Sequence, residues 1–152
     1  MKKILLFFLL AFFVTSMAFA SQELIINPYE ISISGNVGTF GDVTVKIETN
    51  RKKEDLKIVS IKLQINGEWK SVPEPAFSDL KEPLLNETQI RTEAGYDGSP
   101  WLYIYFETAH RDENNKWNPQ IVHIAYHKGK FESRSITIPT ADGKSKWVEK
   151  KL

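Results

Sequence analysis

Apolar and polar residues alternate with a period of two along most of this chain, which is the pattern of half-buried β-strands. The clearest run covers residues 43–48, where valines and an isoleucine alternate with Thr44, Lys46 and Glu48. Similar alternation covers residues 29–34, 58–65 and 121–127. The sequence shows no heptads and no internal repeat, so the pattern predicts an all-β protein.

Turn-forming residues separate these runs and indicate antiparallel hairpins. Asn66-Gly67 lies between two strand-like runs, and both residues tolerate the positive φ of a type I′ turn. A two-residue turn would place Trp69 opposite Gln64, toward solvent, whereas a three-residue loop would place it opposite Leu63, toward the core. Lys128-Gly129 predicts a second tight turn.

About seven or eight strands are predicted in this way. An antiparallel β-sandwich, immunoglobulin-like or jelly-roll-like, suits this number and a small barrel is the alternative. Residues 76–86 have roughly helical spacing that Pro83 interrupts, so at most one short helix, or a turn, is predicted to cross one end of the sheets. The tail from about residue 140 is rich in lysine and is predicted to be loosely held, docked through Trp147 and Val148.

The first twenty residues have the pattern of a secretory signal peptide. Lys2 and Lys3 precede an apolar run, and Ala18-Phe19-Ala20 supplies a small-x-small cleavage pattern. Cleavage after Ala20 would leave one domain over residues 21–152, in the periplasm or secreted; an uncleaved anchor is the alternative. The chain has no cysteine, which excludes lipid attachment at cysteine, disulfides and thiol chemistry.

Charge and histidine spacing argue against several site classes. Without Lys2 and Lys3, 18 basic side chains face 19 acidic ones, so nothing favours nucleic acid as a partner. His123 and His127 are four residues apart on a predicted strand, roughly 13 Å, which is too far to share one metal ion. No metal site, no cofactor and no transmembrane segment after cleavage are therefore expected.

Catalytic motifs are equally weak. No Gly-x-Ser-x-Gly elbow occurs, and no glycine-rich phosphate loop is present. A carboxylate pair of the glycosidase type could be assembled only from Glu107 and a cross-strand Glu132. We therefore expect a protein that is not an enzyme, with a small periplasmic hydrolase using His110 or His123 as base as a lesser alternative.

The segment 100–108, Pro-Trp-Leu-Tyr-Ile-Tyr-Phe-Glu-Thr, is the strand around which these predictions are organised. Alternation places Leu102, Ile104 and Phe106 on one face, which suits a core. The opposite face carries an aromatic row that ends in a carboxylate: Trp101, Tyr103, Tyr105 and Glu107. Whether this second face is open or covered is not decided by the sequence.

Trp and Tyr are enriched at binding surfaces, so the aromatic row and the loop after it form the predicted contact site. Its members are Trp101, Tyr103, Tyr105 and Trp117, with Glu107 and Arg111 orienting the partner. The leading hypothesis is an exported, non-catalytic binding domain that recognises a protein or a cell-envelope component. A carbohydrate- or peptidoglycan-binding module is the alternative, and strand addition at an edge formed by residues 29–34 is a further one.

Overall fold

The computed structural model describes residues 23–27 and 29–152, and the predicted signal segment 1–20 lies outside them. The described residues form ten strands in two antiparallel sheets of five. The first sheet has the order β1 (Glu23–Asn27), β2 (Glu30–Asn36), β3 (Asp42–Thr49), β4 (Ile58–Ile65) and β5 (Glu68–Ser71). The second has the order β10 (Ser145–Lys151), β9 (Lys130–Pro139), β8 (Gln120–His127), β7 (Pro100–Thr108) and β6 (Pro83–Ala94).

The predicted antiparallel β-sandwich is confirmed, and its topology is simpler than that of the named alternatives. Strands that are neighbours in each sheet are also consecutive in the chain, so each sheet is a meander. Immunoglobulin and jelly-roll sandwiches are defined by Greek-key crossings, which are not found among the described strands. The connection from β5 to β6 takes the chain from one sheet to the other.

The core lies between the two sheets and is built from the apolar half of each alternating pattern. Ile33, Val45 and Leu63 of the first sheet and Ile104 and Phe106 of the second are fully buried. The apolar residues predicted to share the inner face of β7 therefore do so. Burial of such side chains contributes roughly 1.5–3 kcal/mol each, which suits a domain that has no disulfides.

The hairpin between β4 and β5 forms as predicted. Asn66 and Gly67 both have positive φ, +48° and +87°, as a type I′ turn requires. Gln64 pairs with Trp69 across the hairpin, and Trp69 is 48% exposed. The two-residue turn thus fixes the register that directs this tryptophan toward solvent.

The segment 76–86, predicted as a short helix or turn across one end of the sheets, is a turn. A 3₁₀ turn covers Glu74–Ala76, and strand β6 already begins at Pro83. Phe77 and Leu80 are buried against the core, so their helical spacing reflects a segment that closes one end of the sandwich. Pro83 is tolerated because β6 is an edge strand.

The carboxyl-terminal segment, predicted to be a loosely held tail, contains a paired strand. Residues Ser145–Lys151 pair with β9 along their whole length, from Ser145 opposite Pro139 to Lys151 opposite Ser133. The strand's high lysine content is typical of a protected sheet edge, because charged side chains disfavour pairing with another chain. Lysines here were therefore a signal for an edge strand and not for a loose tail.

The prediction that residues 29–34 form an edge strand open to strand addition is wrong. Strand β2 lies between β1 and β3, with Ile31 opposite both Ile26 and Ile47. Its backbone groups are therefore already used on both sides. Counting the two terminal strands raises the number of strands from the expected seven or eight to ten.

Candidate binding face

The outer faces of the two sheets differ in chemistry. On the first sheet, Lys46 forms ion pairs with Glu30 and Glu48 at 3.1 and 3.3 Å, and Ser34 and Thr44 share a hydrogen bond. These are ordinary solvated cross-strand pairs. The outer face of the second sheet carries rings at the equivalent positions. Cross-strand ring pairs stabilise a sheet by roughly 0.2–1 kcal/mol each, and rings left partly exposed on an outer face also offer contact area to a partner.

Strand register brings these rings together. The aromatic row of β7 lies beside His123, which pairs with Tyr105, and beside His127 at the end of β8. Trp147 of β10 reaches His123, with ring centroids 5.9 Å apart. We call this surface the aromatic face; its members are Trp101, Tyr103, Tyr105, His123, His127 and Trp147.

Trp101 is held by stacking on its neighbours. Its ring lies 4.0 Å from the His127 ring at an interplanar angle of 9°, and 6.2 Å from the Tyr103 ring at 15°. Offset parallel stacking of this kind contributes about 0.5–1.5 kcal/mol beyond simple burial. The indole orientation is therefore fixed before any partner arrives, which lowers the entropic cost of binding.

The loop between β6 and β7 is fastened to the same site. The Asp97 carboxylate accepts hydrogen bonds from the Ser99 hydroxyl, the Ser99 amide and Lys128, which hold the pKa of Asp97 well below its usual range. Ser99 Oγ also lies 2.7 Å from His127 Nε2. Because the hydroxyl donates to Asp97, His127 must donate from Nε2. Ser99 thus connects Asp97 and His127 through its hydroxyl group. Because His127 donates to that hydroxyl and does not accept its proton, the serine is not activated as a nucleophile.

Tyr105 belongs to the face but is largely covered. The Arg91 guanidinium lies 4.1 Å above its ring centroid, and Gln89 Oε1 holds that guanidinium through two hydrogen bonds. His123 contacts the ring from the other side, at 5.0 Å. Tyr105 is consequently only 9% exposed. It supports the face, while Tyr103 and Trp147 present more of their surface.

His123 is the titratable centre of the face. Burial lowers the pKa of His123 first, and the positive charge of Arg91 lowers it further, while Glu93 acts in the opposite direction. Burial and Arg91 thus favour the neutral imidazole, which packs beside the Tyr105 and Trp147 rings. The face is therefore apolar at neutral pH.

Acidification is expected to destabilise the protein in part through His123. A histidine whose folded-state pKa is lowered binds fewer protons than the unfolded chain, so its contribution to stability is present above about pH 6.5 and is lost as the pH falls. The decrease in urea midpoint between pH 7.5 and pH 5 should be smaller in His123→Gln than in the wild type. His110→Gln is the control, and an unchanged decrease in His123→Gln would contradict this assignment.

Arg111 and Trp117 lie in the loop after β7, whereas Glu107 follows Tyr105 by two residues on the same outward face. Glu107 faces outward on β7, six residues from Trp101 or roughly 20 Å along the strand, and burial together with Glu87 raises its pKa. Arg111 and Trp117 form an isolated bridge in the next loop, where the guanidinium lies 5.9 Å from the Trp117 ring. The structure thus unites the three predicted rings of β7 and places the predicted orienting pair at the far end.

The carboxylate pair considered for glycoside hydrolysis is not assembled. Glu107 pairs with Ile121 at one end of β8, whereas Glu132 lies beside the turn at the other end and forms an ion pair with Lys130. Their positions differ by about five residues along the sheet, roughly 16 Å, which exceeds the separation that either hydrolytic mechanism uses.

Four contributors to the site were missed as binding residues: Arg91, His123, His127 and Trp147. From the sequence, the two histidines are considered as metal ligands or, for His123, as a base, and Trp147 is placed in the tail. Strand parity already placed His123 and His127 on one side of β8. Which ring of β7 each would meet depends on the register between strands far apart in sequence, and that register is not readable locally.

A groove opens beside Trp101, with a volume of about 690 Å³. It is lined by Trp101, Tyr103 and His127, by Glu93 opposite Trp101 on β6, and by the loop Gly95–Asp97. Tyr96 at the loop tip is fully exposed. A Cβ on Gly95 would lie 2.7 Å from Trp101 Nε1, so only glycine lets the loop approach the indole this closely.

Within residues 23–27 and 29–152 no group of three histidine or carboxylate side chains is arranged to hold a metal ion. The same part of the chain contains no helix long and apolar enough to cross a membrane. Comparison of the sequence and fold with protein-family models, curated proteins and solved structures found no match.

Proposed function

We propose that the protein is an exported, non-catalytic binding domain whose partner docks on the aromatic face. The observation that carries this proposal is a continuous row of rings on the outside of the second sheet, away from the core. Large rigid rings with polar tips supply contact area at low entropic cost, and tryptophan, tyrosine and arginine dominate the energetics of protein interfaces.

The contrast between the two outer faces supports the same proposal. The first sheet covers its outside with paired charges, as at Lys46. On the second, Trp147 is 59% exposed, and the charged groups Arg91 and Glu93 border the rings. An apolar centre with a polar rim is the usual composition of a recognition surface.

The surroundings of the histidines favour binding over hydrolysis. His110 Nδ1 lies 3.2 Å from the Gln120 amide, His123 contacts rings, and His127 contacts Ser99. Within the described part of the chain, the hydrogen bonds found for these rings include none to a carboxylate that would orient a general base.

The test is retention of envelope proteins and purified sacculi on the immobilised protein. Tyr103→Ala/Trp147→Ala removes two exposed rings while leaving the buried Tyr105 in place. Trp69→Ala, on the first sheet, is the matched control for loss of an exposed tryptophan. We expect one identified partner to be retained by the wild type and by Trp69→Ala and lost by the double variant. Equal retention by all three proteins would contradict the proposal.

A carbohydrate-binding module is a second candidate. The Trp101 and Tyr103 ring planes are within 15° of parallel, and flat sugar faces stack on such pairs. Retention of sacculi but of no protein, with the same loss in the double variant, would favour this candidate.

Export rests on the sequence of residues 1–20 alone. Cell fractionation should find the protein outside the cytoplasm with Ser21 as its first residue. A cytoplasmic protein that still begins at Met1 would contradict this part of the proposal.

A further inference from the structure

The charged residues that line the groove beside Trp101 are both acidic. Glu93 and Asp97 are the two carboxylate residues in its lining, and no lysine or arginine lines it. Asp97 already binds Lys128, whereas Glu93 takes part in none of the ion pairs found among the described residues. Burial and the nearby Glu93 carboxylate both raise the pKa of Tyr103, which places that negative charge next to the rings.

The rings add to this polarity. Aromatic faces carry a negative quadrupole and attract cations that lie over them, most strongly over tryptophan and tyrosine. Trp101 and Tyr103 line the groove, and the fully exposed Tyr96 lies at its edge. The same domain already uses this interaction, since Arg91 lies over Tyr105 at 4.1 Å.

We propose that this groove binds a lysine or arginine side chain from an extended segment of the protein partner. The apolar stem of such a side chain would lie against Trp101, and its charged end would meet Glu93 and the tyrosines. The opening beside the loop Gly95–Asp97 admits a long side chain. This inference rests on the proposed function, because it names the chemistry of the partner at one end of the aromatic face.

The fold keeps the groove ready for such a ligand. Ser99 and Lys128 fix Asp97, Ser99 fixes His127, and His127 stacks under Trp101. A preformed site loses little conformational entropy when it binds. Because Lys128 neutralises Asp97, Glu93 is the other carboxylate in the groove lining and the one that selects a cationic ligand.

Titration with pentalysine and with its fully acetylated form tests this proposal, with intrinsic tryptophan fluorescence and calorimetry as readouts. We expect pentalysine to bind and the acetylated peptide to bind roughly tenfold more weakly, because acetylation removes the cation. Glu93→Gln should weaken pentalysine binding by roughly five- to tenfold, corresponding to about 1–1.4 kcal/mol. Glu54→Gln is the control: Glu54 is an exposed carboxylate between β3 and β4 of the first sheet, and its replacement should leave the affinity unchanged.

Three results would overturn the inference: no pentalysine binding, equal affinity for the acetylated peptide, or no effect of Glu93→Gln. Binding of a neutral oligosaccharide in the groove in place of the peptide would also overturn it. The proposed function fails differently, through partner retention that survives Tyr103→Ala/Trp147→Ala. A partner lost by that double variant but retained by Glu93→Gln would sink the groove inference alone.

Discussion

Phe106→Ala is expected to lower the free energy of unfolding by about 3–5 kcal/mol, the range found for emptying a buried aromatic site. Phe106 is fully buried on the inner face of β7, between the two sheets. Buried side chains of both sheets surround Phe106. They are held in place by their own packing, so the cavity left by the substitution would be only partly refilled. Urea denaturation with an unchanged m-value would measure the loss.

The matched variant on the other face of the same strand is Tyr103→Ala. Because Tyr103 faces outward and is partly exposed, we expect it to cost about 1 kcal/mol or less. A loss as large as that of Phe106→Ala would show that the aromatic face is a second core and not a surface. Similar small losses for both variants would contradict the sandwich packing itself.

Asp79→Ala is expected to lower stability by about 2 kcal/mol. Asp79 forms a two-pronged hydrogen-bonded ion pair with Arg134, at 3.1 and 3.0 Å, from the segment that closes one end of the sandwich. The Arg134 side chain is only 5% exposed, so its charge would be left buried without its partner. Asp79 itself is 55% exposed, which reduces the expected cost below the 3–5 kcal/mol of a fully buried pair.

A double variant separates charge from packing. Arg134→Met removes the buried cation while keeping much of its volume, so Asp79→Ala/Arg134→Met should recover most of the stability that Asp79→Ala loses. Asp55→Ala, which breaks the exposed pair with Lys57, is the surface control and should not change the urea midpoint measurably. No recovery in the double variant would mean that Asp79 acts through its loop conformation and not through Arg134.

The alternation of apolar and polar residues was enough to predict the sandwich, because a period of two decides which side chains face the core. The face of Leu102, Ile104 and Phe106, the Asn66-Gly67 turn and the outward Trp69 all follow from local pattern. The segment 76–86 is the turn and not the short helix of the two predicted forms, because Phe77 and Leu80 are apolar for a tertiary reason: they close the end of the core. Spacing alone does not distinguish these cases.

The site was predictable only in part, for a related reason. The parity of β7 placed Trp101, Tyr103 and Tyr105 together, but the covering of Tyr105 by Arg91 depends on the register between β6 and β7, which the sequence does not show. Trp147 joins the face only because the lysine-rich carboxyl-terminal segment forms an edge strand. Arg111 and Trp117 were grouped with the rings by closeness in sequence, whereas the strand length carries them to its other end.

Mapping the partner on the protein tests the central claim most directly. The partner retained in the binding experiment would be titrated into ¹⁵N-labelled protein, and amide shift changes would be assigned along both sheets. We predict changes concentrated at residues 91–105, 123–127 and 147, with the outer face of the first sheet around Lys46 and Trp69 unchanged. Changes centred on the first sheet, with none around Tyr103, would contradict the assignment of the aromatic face as the binding surface.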